Sequence, residues 1–342
     1  MKGIDKILLI RYSAIGDIVL SIPAFRILRQ SLPKAYIALI INPLGRQIVS
    51  KCPYIDELII YDKTKRQKSL CGYVQFIQNL RKKQFDLVID FQNNRRSAII
   101  TYLSGAKRTI GYGKKYRSFF YANSLNIIED RDKPFNYFNR LLAVIDVPPV
   151  ENRLELWTTE EDERKAVFFL TQQGVKDSDL LIGIHAGAGK RWFSKKWPRN
   201  SFAKLIDKLN LELQAKIVMI GGADDIKLTK KIIEATRSKP IDATGKTTLR
   251  QLAAILKRCN LFIGSDSGPM HIASAINIPS VILFGPTDPK KHAFAGRNNI
   301  IIKHSLACSP CYRHKCDRLD CMKNISVEEV FEAAKKQILN NV

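Results

Sequence analysis

Lys6-Ile-Leu-Leu-Ile-Arg-Tyr-Ser-Ala-Ile-Gly-Asp17 is a short apolar run that breaks into a polar, glycine-containing turn. The run is the right length for a buried strand, and apolar residues recur at helical spacing from Ala24 to Leu32. The same alternation continues downstream. Tyr36–Ile41, Glu57–Tyr61 and Leu87–Asp90 read as strands, and Val74–Arg81 as a helix. Between Asp146 and Glu160 the rhythm lapses at Val147-Pro-Pro-Val150, which cannot continue a helix.

The rhythm then restarts. Strands are expected at Leu180–His185, Lys216–Ile220, Leu261–Gly264 and Ser280–Phe284, and helices at Asn200–Leu211, Lys227–Thr236, Leu249–Leu256 and Val327–Leu339. Alternating strands and helices in two runs imply an α/β chain with two parallel-sheet domains. A length of 342 residues fits two domains of about 150 residues each. No internal repeat of 20–50 residues is present.

Composition limits the function classes. Hydrophobic residues make up 45% of the chain, enough for real cores. The apolar run Ile7–Ile10 is too short for a secretory signal. No stretch approaches the roughly 18 uninterrupted apolar residues of a membrane-spanning helix, so a cytoplasmic protein is expected. The net charge is +24, and residues 1–160 carry 26 basic and 14 acidic side chains. The clusters at 63–68, 81–83 and 107–117 suit an anionic partner such as lipid headgroups or phosphorylated sugars, or form a solvated basic surface. No nucleic-acid-binding signature accompanies them, so no nucleic-acid partner is expected.

Four loops that follow strands carry the candidate chemistry, because ligands of doubly wound folds bind at the carboxyl ends of strands. In Arg11–Asp17, Asp17 is either a helix-capping residue or a general base. His185-Ala-Gly-Ala-Gly189 lets a ligand approach the backbone, and Lys195 and Lys196 can hold phosphate oxygens. Gly221-Gly-Ala-Asp-Asp225 offers a carboxylate for ribose hydroxyls or for capping. Gly264-Ser-Asp-Ser-Gly-Pro-Met-His271 leads from a strand into a helix with Pro269 in its first turn, an arrangement suited to a diphosphate. A GxGxxG fingerprint is missing after the first strand, which argues against a dehydrogenase or epimerase.

Together, Ile7–Pro23, His185-Ala-Gly-Ala-Gly189 with Lys195-Lys-Trp-Pro198, and Gly264–His271 with Val281-Ile-Leu-Phe-Gly-Pro-Thr287 resemble glycosyltransferase family 9, the bacterial ADP-heptose:lipopolysaccharide heptosyltransferases. The three motifs stand in the family's order and cover most of the chain. The resemblance implies a GT-B fold, two Rossmann-like domains with parallel sheets facing a central cleft. An acceptor domain would span 1–155 and a nucleotide-sugar domain 156–325, with a helix at 326–342 returning toward the N-terminal domain.

It also implies inverting transfer of L-glycero-D-manno-heptose from ADP-heptose to the lipopolysaccharide inner core, with no cofactor or essential metal. Asp17 matches the catalytic aspartate and Lys195 the lysine that holds the donor diphosphate, with Lys196 beside it. Asp266, Ser267 and Gly268 match an Asp-Thr-Gly segment at the donor, with serine in place of threonine. His271 matches a histidine in the same helix, and Asp225 an acidic residue near the adenosine ribose. The acceptor would be anionic Kdo-lipid A or heptosyl-Kdo-lipid A, which implies peripheral contact with the inner membrane; the alternatives are a same-fold glycosyltransferase with another nucleotide-sugar donor and a non-catalytic anion- or lipid-binding protein.

Of seven cysteines, Cys52, Cys71 and Cys259 are scattered and expected to be buried or inert. Cys308, Cys311, Cys316 and Cys321 form a cluster also found in family members resembling heptosyltransferase II. Its spacing is compatible with free thiols or with a structural metal.

Overall fold

The apolar runs become strands because both faces of each are covered, as in parallel sheets flanked by helices. Leu8, Leu9, Val88, Ile89, Ile182, Ile263 and Val281 are almost wholly inaccessible. The computed structural model describes residues 3–113, 115–126, 134–151, 153–189, 191–293 and 298–340. Lys114, within the basic segment 107–117, lies outside them.

The chain divides into two units, Met1–Trp157 and Thr158–Val342. The first holds strands β1 (Lys6–Ile10), β2 (Tyr36–Ile41), β3 (Glu57–Ile60), β4 (Leu87–Asp90), β5 (Arg108–Gly113) and β6 (Asn123–Asn126). Its helices are α1 (Ile15–Ser31), α2 (Pro43–Val49), α3 (Leu70–Lys82), α4 (Arg95–Leu103) and α5 (Pro134–Ala143). The sheet order is β3-β2-β1-β4-β5-β6, with every pairing parallel. Phe76, Ile77 and Leu80 of α3 and Ile100 of α4 pack on Leu8, Ile10, Ala38, Ile40 and Val88. Helices α1 and α5 pack against each other.

The second unit holds β7 (Leu181–His185), β8 (Lys216–Met219), β9 (Ile241–Asp242), β10 (Leu261–Ser265), β11 (Ser280–Leu283) and β12 (Asn299–Ile302). Its helices are α6 (Glu160–Gln172), α7 (Arg199–Leu213), α8 (Ile226–Ile233), α9 (Leu249–Lys257), α10 (Gly268–Ala275), α11 (Pro289–His292), α12 (Asp320–Lys323) and α13 (Val327–Leu339). The order is β12-β11-β10-β7-β8-β9, again all parallel. Both sheets reverse direction of winding beside their first strand, between β1 and β4 and between β7 and β10. Such switch points open a crevice at the carboxyl edge.

One expectation needs correction. Helix α1 starts at Ile15, not Ala24, because Ile18–Phe25 are buried on every face and show no amphipathic period. Helix α13 packs within the second unit. Its Val330, Phe331 and Ala334 pack in one core with Phe202, Leu205 and Leu209 of α7. Cys71 is exposed on α3, whereas Cys52 and Cys259 are buried. Burial pushes the Cys52 thiol up to about 12 and raises Cys259 as well. Among the described residues, no helix is long and apolar enough to cross a membrane.

Candidate functional site

At the first unit's switch point, the loop after β1 is pinned from β4. Tyr12 N–H and Ser13 N–H both donate to Gln92 Oε1 at 2.9 Å. Gln92 is held in turn by Asp90, a fully buried carboxyl that accepts from Gln92 N–H, Asn93 N–H, Ser97 Oγ and Tyr121 OH at 2.6–3.1 Å. Burial pushes the Asp90 carboxyl up despite these four donors. The network sets the β4–α4 turn, and that turn sets the β1–α1 loop.

Asp17 lies in the first turn of α1. The N-cap is Ala14, whose side chain has no oxygen to offer, and its own N–H donates to Asp17 Oδ2 at 3.2 Å. Capping therefore comes from the third helical position, with the favourable sign for a carboxylate at a helix N-terminus. The other oxygen faces Arg11 Nη2 at 3.3 Å. Arg11 is almost covered, donates to Phe91 O, and so offers a fixed partner. The Asp17 side chain remains half exposed. The same group thus caps the helix and presents a carboxylate to solvent.

The basic clusters separate. Lys63, Lys65, Arg66 and Lys68 follow β3 at the carboxyl edge, the edge that carries Asp17, and Arg95 and Arg96 are exposed there at the start of α4. Residues 81–83 end α3 at the opposite edge, where Lys83 pairs with Glu57, and Lys107 pairs with Asp86. One anionic ligand beside Asp17 would meet the first group and not the second.

In the second unit, Lys195 and Asp266 form a buried pair at 2.6 Å, and Thr287 Oγ1 donates to the same carboxylate oxygen at 2.7 Å. Burial alone would raise the Asp266 carboxyl, but the Lys195 charge and hydrogen bond outweigh it and hold it below the usual range. The Lys195 ammonium sits 4.2 Å above the Trp192 ring. It has three donors and spends one on Asp266. Trp197 anchors the loop from behind, its Nε1 donating to Ile325 O at 3.0 Å. Lys196 points elsewhere, its ammonium 4.7 Å from the Phe193 ring centroid.

Ser267 and Gly268 open α10. The Ser267 hydroxyl does not cap the helix but lies 3.0 Å from His185 Nδ1, so the first amides of α10 stay open to an anion. His185 Nε2 faces Asp225 Oδ2 at 3.3 Å, and Gly222 N–H donates to that oxygen at 3.1 Å. Burial opposes the Asp225 charge, while His185, Gly222 and the charge of Lys196 favour it and lower the carboxyl. The Asp225 carboxylate presses on Gly187, where an added Cβ would stand 2.1 Å from Oδ1. Glycine is needed there for a side chain of this chain to fit, not only for a ligand. His271 is buried within α10.

The structure therefore brings together Lys195 with Asp266, and Asp225 with Ser267 through His185. Arg11, Gln92, His185 and Thr287 were not singled out as site residues. Each is a polar residue at or within four positions of a strand's carboxyl end, the signal that would have found it. In the cysteine cluster, Cys321 is buried with Met322 beneath Gly285, while Cys308 is exposed. Among the described residues, no group of three or more His, Cys, Asp or Glu is placed to hold a metal ion.

A family model for glycosyltransferase family 9 (heptosyltransferase) matches residues 73–322. A solved family 9 glycosyltransferase from Veillonella parvula superposes with a TM-score of 0.88 at 29% identity, over 98% of both chains. The structure of the Escherichia coli ADP-heptose lipopolysaccharide heptosyltransferase II does so with 0.80 at 22% identity, over 98% of this chain and 99% of that one. The lipopolysaccharide heptosyltransferase 1 of Campylobacter coli is 25% identical over 97% of this chain and 98% of its own. The fold is that of GT-B enzymes.

Proposed function

The chain belongs to glycosyltransferase family 9, and from that premise we propose that it transfers L-glycero-D-manno-heptose from ADP-heptose to the inner core of a lipopolysaccharide acceptor. The observation that carries this reading is the buried Lys195–Asp266–Thr287 cluster beside the uncapped start of α10. Such a site is preorganised for a diphosphate. Relatives named as lipopolysaccharide heptosyltransferases support the sugar and the acceptor class.

In this reading, Lys195 and the amides at Gly268 and Met270 stabilise negative charge as ADP departs. Asp225 lies on the ribose side and His271 backs the helix. Asp17, positioned by Arg11, takes the proton of the acceptor hydroxyl as that oxygen attacks the anomeric carbon, which inverts. The lysines and arginines at 63–68 and 95–96 meet the anionic acceptor, and those facing an anionic bilayer add about 1 kcal/mol each to peripheral attachment at the cytoplasmic face.

Calorimetric titration of ADP-heptose, UDP-glucose and UDP-GlcNAc into the protein tests the donor assignment. Saturable binding of ADP-heptose alone is expected. Preferential binding of a uridine nucleotide sugar would leave the family in place and overturn the donor.

A further inference from the structure

His185 ends the central strand β7 and is buried, with each ring nitrogen committed to a different partner. Asp225, its partner on one side, is held as a carboxylate and can only accept. Nε2 must therefore carry a proton. If the ring is neutral, Nδ1 has only a lone pair, so the Ser267 hydroxyl donates its one proton to Nδ1. Ser267 then shows only lone pairs to anything bound at the start of α10. Lone pairs repel phosphate oxygens. Turning the hydroxyl toward a ligand instead would leave the buried Nδ1 without a donor.

A single added proton resolves the conflict. With both nitrogens protonated, Nδ1–H donates to Ser267 Oγ, and the hydroxyl proton is released toward the ligand. The ring also gains a positive charge next to the anion. Asp225, from the turn before α8, faces the ring directly and compensates that charge. Lys196 acts on Asp225 from the β7–α7 loop, and the Lys195–Asp266 pair, in neighbouring loops, is internally neutralised.

Resting on the donor-site reading above, we propose that binding of a nucleotide diphosphate takes up one proton from solvent at His185, which converts Ser267 from a donor to His185 into a donor to the ligand. His185 is thus a positioning residue that couples the Asp225 carboxylate to the anion site. Donor affinity then falls as pH rises, toward tenfold per pH unit where the free ring is neutral.

The test is titration of ADP-heptose, without acceptor, into the full chain at slightly alkaline pH in buffers of different ionisation enthalpy. The diphosphate of this ligand is a diester and does not itself titrate near neutrality. The slope of apparent enthalpy against buffer enthalpy is expected to give close to one proton taken up per site. His185→Asn should abolish the slope, and ring ¹⁵N shifts of His185 in the wild type should move from the neutral to the imidazolium pattern on binding. The spectroscopic arm stands even if the variant does not fold. Saturable binding with no buffer dependence would overturn the proposal and leave the donor site intact. Full proton uptake by a folded His185→Asn variant would assign it to another group and overturn the proposal too. Absence of any ADP-heptose binding would overturn the donor-site reading and this proposal with it.

Discussion

Asp17→Asn is expected to lower kcat by about 10²–10⁴-fold, the usual contribution of a positioned general base, while donor affinity stays near that of the wild type. The substitution is chosen because Asp17 has two duties. Its Oδ2 accepts from Ala14 N–H at the start of α1, and its Oδ1 faces Arg11. Asparagine keeps an oxygen for Ala14, so stability should change by no more than about 1 kcal/mol, the scale of a capping interaction. Asp17→Ala loses the cap as well and should melt earlier. Steady-state transfer rates, donor titration and thermal unfolding of both variants separate the duties. Loss of rate only in the alanine variant would make Asp17 a capping residue and nothing more.

Lys195→Ala should strongly destabilise the second unit. It strips the charge partner from Asp266, whose side chain is only 6% exposed. Breaking a buried pair by removing one member costs about 3–5 kcal/mol. The pH dependence has a definite sign. In the wild type the Asp266 carboxyl lies below its ordinary range, so its contribution is present above about pH 4 and is lost as pH falls through the folded value. Without Lys195, burial dominates and the carboxyl rises above that range. The variant's deficit should therefore shrink as pH falls from neutrality toward about 4. Urea unfolding at both pH values measures it. Asp266→Asn in the Lys195→Ala background should recover part of the loss, and a deficit independent of pH would contradict the ion-pair account. On the proposed donor-site reading, donor binding should be lost in all Lys195 variants as well.

The architecture was legible where an apolar run stands alone between turn residues. Leu261–Gly264 reads as a strand and folds as Leu261–Ser265, and Val327–Leu339 reads as it folds, because one is a central strand and the other keeps a single buried face. Helix α1 hid its first half because burial of Ile18–Phe25 on every side erases the period. Strand β9 has two residues and β6 reads Asn-Ser-Leu-Asn, so neither carries an apolar signal. They form on the edges of sheets whose centres do.

Asp17, Lys195 and Asp266 stood out as charged residues in glycine-bearing loops after strands. Gln92 and Thr287 did not, since their meaning depends on which strands are neighbours. Gln92 reaches Tyr12 across 80 residues of sequence only because β4 pairs with β1. His185 was visible as the first residue of a glycine motif, but its two partners come from the start of α8 and the start of α10, which no spacing rule joins.

The central claim is heptosyl transfer from ADP-heptose, and it is tested most directly by the mass of a heptose-deficient lipopolysaccharide core after incubation with the purified protein and ADP-heptose. The account predicts a gain of one heptosyl residue that requires ADP-heptose and disappears with Asp17→Asn. An acceptor left unchanged by ADP-heptose but extended from a different nucleotide sugar would contradict it.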